Sequence, residues 1–190
     1  SGTGLTRLPT APQENDVPHE RPNGPLVIEY SQTDTVALND QHLEAHHVVA
    51  HQKMHPASHA FDVLRTQVLH KMSENGWRTL AITSPSAQSG KTLLSINLAI
   101  SISQLTDRTA LLVDFDLRRP GVARTLGLNR SFSLNDVLTE GCELPEALVH
   151  PNIDRLLVLP TNTPVPNPSE VLSSGRVADI VQDLRNRYSE

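Results

Sequence analysis

Apolar residues recur at intervals of three or four positions in three stretches of the chain. This spacing predicts amphipathic helices over 56–72, over the apolar run 93–103 and over 176–188. Gly76 lies just beyond the first helix, where a glycine commonly caps the C-terminus. The third helix should pack on a sheet through an apolar stripe formed by Val177, Ile180, Val181 and Leu184.

Shorter apolar runs at 80–82, 110–116 and 155–160 alternate with these helices and have the length of buried strands. The resulting order of three strand–helix units predicts an α/β fold, a doubly wound parallel sheet flanked by helices and joined by right-handed crossovers.

Several weaker patterns predict further short elements. Residues 26–30 fit a short strand, and 40–51 fit a helix. Between the second and third strands, 122–127 and 133–141 fit short helices, the second with Ser133 as its N-cap.

The first part of the chain differs in composition from the rest. Five prolines lie among polar residues in positions 1–25, a composition that buries too little apolar surface to offset chain entropy. We predict a Pro- and His-rich flexible arm or linker over 1–56, and a domain over 57–190.

Histidines are concentrated between positions 42 and 70. His47, His51, His55 and His59 are spaced by four, which on one continuous helix would form a stripe able to bind a transition metal. Pro56 interrupts that helix, and no carboxylate or cysteine completes a ligand shell. A solvated polar surface is therefore the favoured interpretation.

Composition and charge narrow the class of protein. The 190 residues can hold one domain with a sizeable core, and a formal charge of −5 with a pI near 6.0 gives no global case for nucleic-acid binding. The single cysteine, Cys142, excludes an internal disulfide and fits a reducing compartment. We expect neither a membrane span nor a secretory signal in these residues.

The stretch 84–92, SPSAQSGKT, joins the first predicted strand to an apolar helix. A small-residue loop that ends in Gly-Lys-Thr is typical of a phosphate-binding loop, although Pro85 stands where that motif begins with glycine. The alternative is a helix that happens to start with Gly-Lys-Thr. The candidate nucleotide contacts are Ser86, Ala87, Gln88, Ser89, Gly90, Lys91, Thr92 and Leu93.

Three of these residues have distinct chemical roles in the prediction. Gly90 lets the backbone approach phosphates, while the helix N-terminus offers unpaired N–H groups and a partial positive charge. Lys91 would reach the β- and γ-phosphates, and the Thr92 hydroxyl would ligate Mg²⁺. A nucleoside triphosphate and Mg²⁺ are therefore the expected ligands of the loop.

Asp114 and Asp116 follow the second strand, and residues two apart in a strand face the same way. At the carboxyl end of a parallel strand, both could point toward Mg²⁺ and the attacking nucleophile. The alternative is a solvated strand end with an aspartate cap. We expect Arg118 and Arg119 to form local ion pairs with the aspartates, with contact to a phosphate or a partner as the alternative.

Three segments together resemble the bacterial tyrosine autokinases of capsule and exopolysaccharide export: SPSAQSGKT at 84–92, LLVDFDLRRP at 111–120 and PNPSEVLSSGRVADIVQDL at 166–184. They are similar to that family's Walker A loop, its Walker A′ strand and the stretch after its third strand. Two further segments, 38–51 and 60–69, resemble the subgroup encoded beside exosortase-linked polysaccharide loci.

This resemblance implies a fold, an activity and partners. Members share the P-loop fold of septum-positioning and plasmid-partition ATPases, and transfer the γ-phosphate of ATP to tyrosines, mostly on a neighbouring subunit. Lys91 and Asp114 would be catalytic, with Asp114 as the base, and Thr92, Asp114 and Asp116 would serve the metal. A membrane polysaccharide co-polymerase would be the partner, placing the protein in the cytoplasm at the inner face of the membrane, and nucleic acid would not be one.

The sequence departs from this family's pattern in its loop and its assembly motif. Gln88 stands where the family has a loop glycine. The Glu-x2-Arg-x2-Arg motif used for ring assembly falls on His59, Asp62 and Arg65, so only Arg65 matches and homo-oligomer formation is expected to be weakened.

Two further departures concern the tyrosines and the C-terminal end. Only Tyr30 and Tyr188 are present, so there is no tyrosine cluster. The chain ends where the family continues into a Walker B strand, which predicts a truncated domain. These features keep a second hypothesis open, a nucleotide-gated regulatory ATPase of polysaccharide export without kinase activity. A DNA-partition ATPase is disfavoured because that family's early loop lysine is absent.

Overall fold

The computed structural model describes residues 33–187, and the predicted strand at 26–30 and both tyrosines lie outside these residues. Helices and short strands alternate along the chain. The elements are β1 (Asp34–Thr35), α1 (Asp40–Ala45), α2 (Pro56–Glu74), α3 (Lys91–Ser103), β2 (Ala110–Val113), α4 (Val122–Leu126), α5 (Leu134–Leu138), α6 (Leu144–Ala147), β3 (Val149–His150), β4 (Leu156–Leu159), α7 (Pro168–Leu172) and α8 (Gly175–Arg187).

The strands form one sheet in the order β1-β3-β4-β2. The pairs β1–β3 and β2–β4 are parallel, as expected, and Ala110 lies opposite Leu156 in the second pair. The contact between β3 and β4 is antiparallel, so the sheet is predominantly rather than wholly parallel. Helices cover both of its faces, which confirms the predicted α/β layering.

Alternate residues of the paired strands supply the two halves of the core. Leu156 and Val158 of β4 pack with α3, α4 and the segment before α2, whereas Leu159 packs with α5, α6 and α8. The period of two is that of a strand buried on both faces. The stripe predicted on the last helix is confirmed, since Val177, Ile180 and Leu184 are buried.

The strand predicted at Leu80–Ile82 is wrong. Residues 77–83 form no strand in the described structure, and Trp77 and Leu80 are 57% and 46% exposed. A strand requires a hydrogen-bonded neighbouring strand, and the described sheet, ordered β1-β3-β4-β2, includes no residue of 77–83. The sequence pattern reports the apolar character of a strand but not the presence of its partner.

The segment 39–50, which the sequence assigns to the flexible arm, packs into the domain core. Leu43, Val48 and Ala50 are almost fully buried. The helix predicted over 40–51 ends at Ala45, and a left-handed residue follows at His47, where φ is 57°. None of the helices described between residues 33 and 187 is long and apolar enough to span a bilayer.

Asn97 of α3 holds this segment in place. Its side chain is fully buried, and its Oδ1 accepts hydrogen bonds from the amides of Val49 and Ala50 at 2.8 and 2.9 Å. Its Nδ2 donates to the carbonyl oxygens of His47 and Leu93 at 3.2 and 3.0 Å. One side chain therefore bonds four backbone groups across two segments, and the two amides among them are buried.

We expect Asn97→Ala to lower the free energy of unfolding by about 2 to 4 kcal/mol, because it leaves the buried amides of Val49 and Ala50 without their acceptor. Chemical denaturation of the two proteins measures the difference. Asn129→Ala, at an exposed position, is the matched control and should change stability by less than about 0.5 kcal/mol. Equal losses in the two variants would contradict this assignment.

Candidate functional site

The loop before α3 ends at a left-handed glycine and is held by serine hydroxyls. Gly90 adopts a left-handed conformation with φ 86°, and α3 begins at the next residue, Lys91. Within the loop, the Ser84 and Ser89 hydroxyls both donate to the carbonyl oxygen of Ser86, at 2.8 and 2.6 Å. The loop therefore fixes its own shape and leaves its outer surface exposed.

A cavity of about 220 Å³ opens at this loop and brings together most of the residues proposed from the sequence. Ser86 and Ala87 do not line it. Two lining residues were missed, because they lie far away in the sequence and only the packing of α1 and α4 against α3 brings them here. The cavity is lined by Gln88, Ser89, Gly90, Lys91, Thr92 and Leu93, with His46 and Thr125 as the two additions.

Lys91 and Asp116 form an ion pair at this site. The Lys91 Nζ lies 2.6 Å from Asp116 Oδ2, and both side chains are largely shielded from solvent. Partial burial by itself raises the pKa of Asp116, but the Lys91 hydrogen bond, the Arg119 and Arg118 amides and the Lys91 charge together hold that pKa below its ordinary value. Lys91, the cation expected to bind the phosphates, is thus neutralised by Asp116, the carboxylate expected to bind the metal.

Asp114 occupies a different environment from Asp116. It is buried, its Oδ2 accepts from the amides of Gly121 and Val122 at 3.0 Å each, and its Oδ1 accepts from the Asp116 amide at 3.1 Å. Burial, reinforced by the nearby charge of Asp116, outweighs these three hydrogen bonds and raises the pKa of Asp114. The side chains that strand geometry predicts on one face therefore have separate partners.

The turn that Asp114 holds lies directly against Thr92. A Cβ added at Gly121 would come within 3.2 Å of both Thr92 Oγ1 and Thr92 Cγ2, so only glycine leaves the threonine undisturbed. Asp114 thereby sets the position of the backbone against which the proposed metal ligand packs.

The local ion pairs predicted for Arg118 and Arg119 are not formed. Both residues are exposed, and neither guanidinium pairs with a carboxylate among residues 33–187. Asp116 pairs with Lys91 instead. Arg119 contacts Asp116 through its backbone amide, which donates to Oδ1 at 3.0 Å.

The histidine stripe is also absent. Helix α1 ends before His47 and α2 begins after it, so the four histidines do not share one helix. No group of three metal-binding side chains occurs in the described part of the chain. His42 and His46 instead bond to backbone carbonyl oxygens at 2.9 and 2.8 Å.

Arg65, the one residue of the assembly motif that the sequence retains, is bound within its own chain. Its Nη1 donates to the Ser101 carbonyl oxygen at 2.8 Å and lies 3.0 Å from Asp62 Oδ1. The Ser101 hydroxyl also donates to Asp62 Oδ1 at 2.7 Å. Asp62, which stands where the motif has its first arginine, is thus the acidic partner of Arg65 at the position of the second arginine.

Comparison with known proteins identifies relatives of one kind. No protein-family model matches the chain. It is 33% identical over 132 residues to the tyrosine-protein kinase Wzc of Salmonella typhi, and 31% identical over 131 residues to the tyrosine-protein kinase YwqD of Bacillus subtilis. The chain is homologous to the bacterial tyrosine-protein kinases.

Solved kinase domains share the fold as well. The kinase domain of the Escherichia coli tyrosine kinase ETK superposes with a TM-score of 0.68 at 26% identity, covering 82% of this chain and 65% of that one. The BceF tyrosine kinase domain gives 0.66 at 26% identity, covering 87% and 69%. The predicted P-loop fold is confirmed, whereas membership of the exosortase-linked subgroup stays a prediction.

The match is partial in length. The aligned residues make up 70% of this chain but 18% of Wzc, and 69% of this chain but 55% of YwqD. The chain thus corresponds to about half of the shorter homologues and to less of the longer ones.

We expect Asp116→Asn to change nucleotide affinity in opposite directions with and without Mg²⁺. Without metal, loss of the carboxylate frees Lys91, and ATP should bind about fivefold more tightly, since a partly exposed ion pair is worth about 1 kcal/mol. With Mg²⁺, loss of an oxygen ligand should weaken Mg-ATP binding. Calorimetry in EDTA and in magnesium buffer measures both, and a change of the same sign in both buffers would contradict the ion-pair argument.

Gln88 is held in the left-handed region with φ 59°, at the position where the resembled family has glycine. We expect Gln88→Gly to raise the free energy of unfolding by about 0.5 to 1 kcal/mol, because glycine adopts this conformation without a Cβ clash. Ala87→Gly, one residue earlier and outside that region, is the control and should lower stability by a similar amount. Thermal melts decide it, and a loss of stability in Gln88→Gly would remove the strain argument.

Proposed function

We propose that the chain is part of an ATP-dependent protein-tyrosine kinase that autophosphorylates and regulates exopolysaccharide chain length or export. The observation that carries this proposal is that Lys91 and Thr92 line one cavity at the loop, while Asp116, which does not line it, is ion-paired with Lys91. A lysine, a hydroxyl and a carboxylate at the carboxyl end of a parallel strand are the groups that P-loop phosphoryl transfer requires. The homologous kinases support the same conclusion.

The side chains present fit ATP and Mg²⁺. Thr92 and Asp116 offer the hard oxygen ligands that Mg²⁺ prefers, and the exposed loop and the start of α3 offer backbone N–H groups to phosphate oxygens. Bound Mg²⁺ would neutralise charge on the phosphates. Lys91 would then exchange its contact with Asp116 for the β- and γ-phosphates, and Asp116 would turn to the metal.

Asp114 is the residue that the family resemblance makes the base and a metal residue. A carboxylate with a raised pKa beside a nucleotide suits a base, and this supports keeping that role in the proposal. Its three backbone hydrogen bonds support a positioning role in addition, because they fix the turn that packs on Thr92.

The proposed partner is a membrane polysaccharide co-polymerase, which would hold the protein at the cytoplasmic face of the membrane. Assembly with further copies of the chain would be weaker than in proteins that retain the ring motif. The internal bonding of Arg65 to Ser101 and Asp62 supports this, since a partner would have to displace three contacts.

The decisive experiment measures Mg-ATP binding and phosphotyrosine formation in the full-length gene product, with its own tyrosines or a partner's tyrosine-rich tail as acceptor. Wild-type protein should bind Mg-ATP and label tyrosine, and Lys91→Ala should lose both because the loop loses its cation. His59→Ala, an exposed residue of α2, controls for a general effect of substitution.

Two outcomes would change the proposal in different ways. ATP binding or hydrolysis without label on any tyrosine tail would replace the kinase with the regulatory ATPase. Equal Mg-ATP affinity of wild type and Lys91→Ala would refute the phosphate-binding loop itself.

A further inference from the structure

One wall of the cavity comes from outside the phosphate-binding loop. His46 belongs to the segment that follows α1, about forty positions before the loop, yet its side chain lines the same cavity as Lys91, Thr92 and Leu93. Neither the motif nor the roles assigned above account for an imidazole at this place.

The His46 ring is held in a defined orientation. Its Nδ1 lies 2.8 Å from the His42 carbonyl oxygen, so Nδ1 carries the proton and donates. The ring also stacks on His42 with centroids 4.1 Å apart, and His42 Nε2 in turn donates to the Arg124 carbonyl oxygen of α4 at 2.9 Å. A ring fixed in this way loses little freedom when it binds a ligand.

The remaining ring nitrogen is available. His46 Nε2 has no hydrogen-bond partner in the described part of the chain, and the ring is partly exposed. Behind it, Asn97 Nδ2 donates to the carbonyl oxygens of both His47 and Leu93, which ties the histidine segment to the first turn of α3. The segment that carries the imidazole is therefore anchored to the end of α3 that would bind the phosphates.

We propose that His46 is a further nucleotide-binding residue, whose Nε2 donates a hydrogen bond to a phosphate oxygen of the nucleotide. This inference rests on the proposed function, since it requires a nucleotide in the cavity. Imidazole donates through both nitrogens in its protonated form, and the charge of a bound polyphosphate favours that form. His46 shares the cavity with Lys91, Thr92 and Leu93. We assign its contact to the α- or β-phosphate, which ATP and ADP share.

The alternative is that His46 only packs. In that case its removal would loosen the segment at 39–50 and lower stability, but affinity for nucleotide would stay the same. Affinity therefore distinguishes the two roles, while stability alone does not.

The test is calorimetric titration of Mg-ATP and Mg-ADP into wild-type protein, His46→Ala, His46→Gln and His59→Ala. His46→Ala should weaken both nucleotides by about tenfold, the usual cost of one hydrogen bond to a charged group. His46→Gln keeps an N–H donor of similar reach and should recover part of that loss. His59→Ala removes an exposed histidine of α2 and should bind like wild type.

The outcomes separate this inference from the proposed function. Wild-type binding with unchanged affinity in His46→Ala would overturn the role of His46 and leave the nucleotide site standing. A similar loss in His59→Ala would also overturn it, since the effect would not be specific to the cavity. Failure of the wild-type protein to bind either nucleotide would refute the site and this inference together. A thermal melt of each variant confirms that it is folded before titration.

Discussion

The carboxylate of Asp114 is the constraint on which the geometry of the site depends. It is buried at the end of β2 and accepts three backbone hydrogen bonds, two of them from the residues that open α4. Its own carbonyl oxygen accepts from the Thr161 hydroxyl at 2.6 Å, just beyond β4. One residue thus joins two strand ends to the turn that contacts Thr92. A buried anion is costly, and the raised pKa of Asp114 shows that its hydrogen bonds do not fully compensate. A nearby divalent cation would supply what is missing.

The ion pair between Lys91 and Asp116 follows from the same arrangement. The short turn after β2 brings Asp116 to the start of α3, and at 2.6 Å Asp116 and Lys91 neutralise each other. Under the proposed function, a nucleotide would compete with this carboxylate for the Lys91 ammonium group. Mg²⁺ would shift that competition, because it would attract the carboxylate and add positive charge for the phosphates. The proposal therefore implies that the site prefers a magnesium nucleotide over the free anion.

Local chemistry explains what could be predicted from the sequence. The end of the loop at Gly90 and the start of α3 at Lys91 could be predicted, because this geometry depends only on neighbouring residues in the sequence. The alternation in 156–159 and the stripe on α8 likewise report burial directly. The run at 80–82 failed because an apolar segment becomes a strand only beside a partner, which the described residues do not supply. The partners of Asp114 and Asp116 were missed because side-chain direction beyond a strand end depends on which amides and cations the turn brings near.

The N-terminal segment illustrates the largest gap between pattern and structure. Its polar, histidine-rich composition indicates a solvated arm, yet Leu43, Val48 and Ala50 are buried in the core. Three apolar side chains suffice because Asn97 Oδ1 accepts from the buried amides of Val49 and Ala50, which would otherwise be unpaired. Its Nδ2 also donates to the carbonyl oxygens of His47 and Leu93. The same asparagine sits one helical turn from Leu93, at the end of α3 that faces the cavity. A displacement of the segment 39–50 is therefore coupled to the first turn of α3, and a ligand that orders this turn also stabilises the segment.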